Sequence, residues 1–310
     1  TAILLIFTLN FVTISLYLQG KVTHFFCFQR MKIILFSRKG ITPRAEDVDA
    51  IFGAIERYGF DYAVNQEFAE NIEANNLRTI PSEFVYGEEV GEQPADSVMV
   101  CYGGDGTLLE GVHRLGGVDI PVVGINGGHL GFLALAPREN IKEVFEGIAS
   151  NNLNLEQRDL LCIEGLSDEK FYALNEVAVQ RLGASMISID ATIDNNPVAT
   201  YNGDGVIIST PTGSTAYSLS AGGPIVLPES RVLIVTPIAP HNLNVRPLVV
   251  PDTSVITLKM HSRDGSVIFT ADNRTALIQS EQEVVINVAQ FSLKRVRLNR
   301  SNFIEALTEK

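Results

Sequence analysis

Tryptophan is absent from this 310-residue chain, and so is any basic surplus. Against 24 lysines and arginines stand 36 aspartates and glutamates, a formal net charge of −12. A protein that neutralises a nucleic-acid backbone or an anionic membrane needs extra positive charge, so neither partner is expected. A small phosphorylated ligand needs only a local cradle and stays open. Cysteine is scarce. Cys27, Cys101 and Cys162 show no metal-ligand spacing and leave an odd thiol, which points to a reducing, cytoplasmic setting with Cys101 buried as a small hydrophobe. The chain also lacks repeats and low-complexity tracts, and at its length two domains is the better expectation.

What is present centres on Gly103-Gly104-Asp105-Gly106-Thr107. The apolar run Ser97 to Cys101 precedes it, and the segment Leu108 to Leu115 after it has apolar residues at helical spacing, so it reads as strand, glycine turn, helix N-terminus. That geometry gathers unpaired N–H groups and the positive end of a helix dipole, a natural seat for phosphate. Glycines let the backbone approach an anion and take positive φ. Asp105 is the odd member, because a carboxylate there repels phosphate unless it has its own task. General base toward an attacking hydroxyl and metal ligand both fit. The plain alternative is a helix cap.

Residues 1–30 differ from the rest. Ala2 to Leu18 carries no charge, but Thr8, Asn10, Thr13 and Ser15 interrupt it. Neither a basic n-region nor a small-residue cleavage site is clear, although the length approaches the ~20 residues of a membrane span. The chain starts with Thr, and the globular pattern starts at Met31, so residues 1–30 read as an atypical, non-functional or mis-assigned leader. Lys32 to Ser37 reads as a first strand and Ala45 to Arg57 as an amphipathic helix bounded by Pro43 and Gly59. Phe60 to Val64 is a short strand, and Asn65 to Gln93 an acidic helix plus loop. Pro121 to Ile125 runs into a second glycine-rich loop, Asn126 to Leu133, and a helix from about Arg138 to Ala149 follows. Strands alternating with helices predict a parallel sheet with ligands at the strands' C-terminal ends, where both glycine loops would face one crevice.

After Asn152 the texture becomes β: short β-branched runs bounded by turn residues, with Asp194 to Pro197 and Asp264-Gly265 reading as hairpin turns. Within this half, Thr210 to Pro224 is rich in small and hydroxyl residues that let a ligand lie against backbone, with Tyr217 offering a ring or a hydroxyl. Asn175-Glu176 and Asn202-Gly203-Asp204-Gly205 add polar groups between apolar segments. Each alone is commonly a solvated turn.

Taken together, these motifs resemble the NAD kinase family from Met31 to the C-terminus. The Gly-Gly-Asp-Gly-Thr motif is shared with diacylglycerol-type lipid kinases and, loosely, phosphofructokinases, whereas the Thr210 to Tyr217 run looks specific to NAD kinases. The resemblance implies an α/β Rossmann-like N-terminal domain (31–152) and an all-β, sandwich-like domain (153–290), α+β overall; Phe303, Ile304 and Leu307 share one helical face of Asn302 to Glu309, so the C-terminal segment (291–310) is expected to pack back on the first. It implies phosphorylation of NAD by ATP at the 2′-hydroxyl of the adenosine ribose. The protein would be a homodimer or homotetramer in which a neighbour completes the NAD site. Asp105 then matches the catalytic base and, with Gly106, touches NAD; Gly103, Gly104, Gly106 and Thr107 match the phosphate contacts. Asn175, Glu176, Asp204, Thr215, Ala216, Tyr217, Ser218, Leu219, Ser220 and Ala239 match NAD-binding positions. Asn202, where many relatives carry a basic residue, and Arg274, where Gln is often found, are departures bearing on NAD and phosphate recognition. No dedicated metal cage is visible, so Mg²⁺ is expected to arrive with the nucleotide. A lipid kinase and a non-catalytic NAD sensor remain the alternatives: the first needs an apolar groove or membrane surface, the second has no use for Asp105.

Overall fold

A computed structural model describes residues 3–8, 11–18, 21–28, 31–88, 90–91, 93–127, 131–133, 136–167, 170–297 and 303–308. The strands Lys32–Phe36, Asp61–Asn65, Ser97–Tyr102 and Val122–Asn126 form a parallel sheet in which Lys32–Phe36 lies between the second and third. Their near-continuous apolar sequences fit burial on both faces. Ile33 and Leu35 point into one core, with Val48, Phe52 and Ile55 of helix Ala45–Tyr58 and Val144 and Phe145 of helix Ile141–Ala149. Ile34 and Phe36 point to the other, with Leu108 and Leu115 of helix Asp105–Leu115. This helix packs tightly on the sheet because Gly111 has no Cβ, which would sit 2.6 Å from Cys101 Sγ. Burial pushes the Cys101 thiol pKa up, as suits a core residue rather than a reactive one.

The β half contains a six-stranded antiparallel sheet that includes Glu176–Arg181, Gly205–Ser209 and Val232–Ile238. It faces an antiparallel wing made of Asn196–Gly203, Ile187–Ile193, Ile256–His261 and Glu283–Arg297. Val177, Val179, Val206 and Ile208 from the first sheet pack against Ile187, Ile189, Leu258 and Ile286 from the second. The fold is thus the α/β-plus-β-sandwich class expected. The Glu283–Arg297 strand passes position 290 without a break. Arg295 then pairs in parallel with Val122, so the wing and the parallel sheet are one sheet. After it, helix Phe303–Thr308 sets the Phe303 ring 6.0 Å from that of Phe132.

The Asp194-Asn195 turn is a hairpin, and both residues take positive φ, as tight β-turns of this kind require. Asp264-Gly265 is not. It joins Ile256–His261 of the wing to Ser266–Ala271 of the other sheet, so it crosses between layers. Turn chemistry is local, whereas the partner a strand finds is decided by tertiary packing. The strands Ile3–Thr8, Phe11–Leu18 and Lys21–Phe28 form an antiparallel three-stranded sheet of their own. No helix among the described residues is long and apolar enough to cross a membrane.

Candidate active site

Strand Ser97–Tyr102 ends in Gly103, whose φ of 150° and lack of Cβ leave room for the Thr107 side chain. Gly104 caps helix Asp105–Leu115, so Asp105 is its first residue. The Gly103 N–H donates to Ile125 C=O at 2.9 Å, which lays the first glycine loop beside the strand that feeds the second. Asp105 then reaches across. Its Oδ2 accepts from the Phe132 N–H at 2.8 Å and its Oδ1 from the Leu133 N–H at 3.0 Å. Gly131 makes this approach feasible, because a Cβ there would overlap the Asp105 carboxylate. The two glycine loops therefore meet at Asp105. Gly128, His129 and Leu130 of the second loop lie outside the described residues. Gly106 faces Arg38, whose Nε pairs with Glu110 at 3.1 Å.

Phe132 and Leu133 also border a cavity of about 210 Å³ with Thr212, Thr215, Arg158 and Arg297. The Thr210 to Tyr217 run is thereby brought to the loop that holds Asp105. Thr210 Oγ1 donates to Leu174 C=O at 2.6 Å and accepts from the Gly213 N–H at 3.1 Å. A Cβ on Gly213 would overlap the Asn175 carbonyl, so this loop lies flat against Asn175. Ser214 and Ser218 are fully buried, with Ser214 Oγ bonded to the Val226 backbone and Ser218 Oγ to Thr236 Oγ1. Their hydroxyls shape the loop. Leu219 is exposed.

Asn175 and Glu176 are positioned by a residue 98 positions from Leu174. The Asp272 carboxylate accepts the N–H groups of Leu174 and Asn175 at 2.8 Å each and of Glu176 at 3.2 Å. Asp272, at φ 50°, sits in the hairpin turn between Ser266–Ala271 and Arg274–Gln279. Burial pushes its carboxyl pKa up, against the pull of those three N–H groups. Glu176 is 9% exposed, and among the described residues its Oε2 has no hydrogen-bond partner. Burial first, and the Asp272 charge second, raise the Glu176 carboxyl to about 8, while the Tyr217 backbone N–H lowers it. The Tyr217 hydroxyl accepts from Gln180 Nε2 at 2.7 Å.

Asn202, Asp204 and Ala239 lie together, and the Asp204 charge reaches Tyr217, where after burial it helps raise the hydroxyl pKa. Asp204 Oδ1 pairs with Arg181 Nε at 2.7 Å, and both side chains are more than a third exposed. Asn202 Oδ1 accepts from Ser188 Oγ. Ala239 takes φ 42° and packs its carbonyl where a Cβ on Gly203 would come within 2.8 Å. Arg274 turns its guanidinium toward the Tyr172 carbonyl and to His113 Nε2 at 3.4 Å. Asp272 as an anchor, Gln180, and the buried Arg158 and Arg295 were not marked by motif. For the two arginines a charge at a strand position is the available signal; Asp272 lies in a turn and Gln180 is uncharged, so neither carries one. Among the described residues no three His, Cys, Asp or Glu side chains cluster as metal ligands.

The family model described as the ATP-NAD kinase N-terminal domain matches residues 56–152, and that of the ATP-NAD kinase C-terminal domain matches 174–298. The NAD kinase of Christiangramia forsetii is 35% identical over 289 residues, covering 90% of this chain and 97% of that protein. One from Bacteroides fragilis is 36% identical over 284 residues, with the same coverages. The crystal structure of yeast NADH kinase complexed with NADH superposes with a TM-score of 0.78 at 25% identity, covering 92% of this chain and 89% of that one. An NAD kinase from Archaeoglobus fulgidus in complex with ATP gives 0.69 at 26% identity, covering 90% and 98%.

Proposed function

The chain belongs to the NAD kinase family, an enzyme family of phosphotransferases, and from that premise we propose that it moves the γ-phosphoryl group of ATP to the 2′-hydroxyl of the adenosine ribose of NAD, with Asp105 as general base. The observation that carries this reading is the seat of Asp105. It stands first in a helix beside the phosphate-attracting loop, yet its carboxylate is turned away to two N–H groups of the second loop. A mere cap would spend its oxygens on its own helix.

The chemistry follows from that seat. A ribose hydroxyl is a poor nucleophile at neutral pH. As its oxygen forms the new bond to the γ-phosphorus, the proton passes to the Asp105 carboxylate and the bond to the ADP oxygen breaks. General-base help of this kind is worth typically ~10²–10⁴ in rate. The N–H groups at Gly104 to Gly106 and the helix N-terminus favour the charge on the transferring group. A divalent cation carried by the ATP phosphates would neutralise part of that charge, and the Asp105 carboxylate is a hard oxygen donor suited to it.

We assign NAD binding to Asn175, Glu176, the Thr215 to Ser220 segment, Ala239 and Asn202, with Arg274 beside Asp272. The Asp204 pair with Arg181 is more than a third exposed and so open to a neighbouring subunit, and the resemblance to the family is what points to its contribution to that subunit's NAD site in a homo-oligomer. The test is direct. Purified protein with Mg-ATP and NAD should form a product that an NADP-specific dehydrogenase reduces, with the new phosphorus coupled to the ribose 2′ proton in the NMR spectrum. A product phosphorylated elsewhere, or transfer only to a lipid acceptor, overturns the reading.

A further inference from the structure

Behind the loop that holds Asp105 lies a buried charge cluster with no part in the chemistry above. Glu156 and Arg158 of strand Asn154–Glu164, and Arg295 and Arg297 of strand Glu283–Arg297, share one face of an antiparallel pair, with Glu156 directly opposite Arg295. Arg295 is 2% exposed. Its Nη2 pairs with Glu156 Oε2, which Arg158 also contacts at 2.6 Å, while Arg297 reaches Oε1 at 3.1 Å. Burial pushes the Glu156 carboxyl up, but the guanidiniums of Arg295 and Arg158 outweigh it and hold the group below the usual carboxylate range. Desolvation offsets much of the Coulomb gain in such a cluster, so stability alone is a weak reason for it.

The other end of the Arg295 guanidinium is more specific. Its Nη1 donates to the Phe132 carbonyl at 2.8 Å and lies 3.4 Å from the Leu133 carbonyl. The Phe132 carbonyl and the Leu133 N–H belong to one planar peptide group. That N–H is the donor to Asp105 Oδ1. A single amide therefore stands between a guanidinium and the carboxylate, accepting from one and donating to the other. Drawing charge toward its oxygen strengthens its N–H as a donor, as in any cooperative hydrogen-bond chain. The strand that carries Arg295 is also the one joining the wing to Val122, the first residue of the strand that leads into this loop.

We propose that Arg295, anchored by Glu156, is a positioning residue for phosphoryl transfer: it clamps the Phe132–Leu133 amide from behind and so fixes the orientation of the Asp105 carboxylate. This rests on Asp105 being the base. Misplacing a reacting group by about 1 Å costs up to ~10²-fold in rate, so Arg295→Met should lower kcat by about 10- to 100-fold. KM for NAD and for Mg-ATP should stay within about 2-fold, since Arg295, although it borders the same cavity as Thr215, is 2% exposed and spends its donors on Phe132 and Glu156. Arg295→Lys, which keeps the charge and a donor, should recover part of kcat, and Glu156→Gln should lose less than Arg295→Met.

The deciding experiment is a double-mutant cycle on the full chain, with kcat expressed per folded protein from a near-UV dichroism melt. If Arg295 acts through Asp105, Arg295→Met should cost little more once Asp105 is Asn, so the two losses should fail to multiply. Losses that multiply fully overturn the proposal, as does an Arg295→Met enzyme with wild-type kcat or one altered in KM alone. Should Arg295→Met fail to fold, Arg295→Lys and Glu156→Gln enter the same cycle under the same criteria. An Asp105→Asn enzyme with normal turnover would instead strike at the base itself, which separates the two failures.

Discussion

Asp105 and Glu176 are both carboxylates at the meeting of the two halves, and their surroundings are opposite. Asp105 accepts two backbone N–H groups from a loop braced by a guanidinium. Glu176 has the Tyr217 N–H and the nearby Asp272 charge, and an oxygen with no partner among the described residues. One seat is furnished for a carboxylate that must hold an orientation. The other, by burial and the Asp272 charge, raises the carboxyl to about 8, which favours the neutral, hydrogen-bond-donating form of Glu176. Under the function proposed above, the α/β half would hold the proton acceptor and the β half would supply recognition.

The sharpest way to break this contrast is Asp105→Asn. It keeps the shape and removes the base, so kcat should fall by about 10²–10⁴ while NAD affinity, read by calorimetry, changes little. Near wild-type turnover would dissolve the distinction between the two seats.

Paired glycine substitutions sharpen it further. Gly131→Ala places a methyl where the Asp105 carboxylate lies, and should cost on the order of 10²-fold in kcat with the carboxylate still present. Gly213→Ala pushes instead on the Asn175 carbonyl, and should raise KM for NAD about 10-fold, with a stability loss of about 1–3 kcal/mol from overpacking. Steady-state kinetics on both tells them apart, since a shared effect on kcat alone would mean the Asn175 loop serves chemistry rather than binding.

Asp272→Ala removes one acceptor from three N–H groups. Each orphaned buried donor costs ~1–3 kcal/mol, so a loss of a few kcal/mol in a denaturant melt is expected, with weaker NAD binding.

Glu176→Gln is the gentlest test. A raised native pKa means that the unfolded chain gives up its proton first as pH rises. The stability contributed by protonated Glu176 is full below about 4.5 and is lost as pH climbs through about 8. The glutamine variant should therefore nearly match wild type at pH 5 and be the more stable at pH 9, by several kcal/mol at about 1.4 kcal/mol for each unit of the shift. NAD affinity of the wild type should weaken over pH 7–9, while that of the variant stays flat. Identical pH profiles would show that Glu176 is charged and otherwise paired.

Much of the site was legible because its signals are local. Strand, glycine turn and helix around Asp105 follow from hydrophobic spacing and from glycine's freedom within about ten residues. The same holds for the second glycine loop and the Thr210 to Tyr217 run, whose identities resemble one family. By itself the sequence settled the fold class, the family and the pairing of a carboxylate with a phosphate-attracting turn. Only the tertiary structure decided what surrounds each carboxylate. Leu174 finds Asp272 from 98 positions away, and Phe132 finds Arg295 from 163. The Asp264-Gly265 turn, clear as a turn, crosses between sheets because strand pairing is chosen by the whole core. Local propensity decides which element a segment forms. Burial and hydrogen-bond satisfaction, which depend on every element at once, decide what each charged side chain in it will meet.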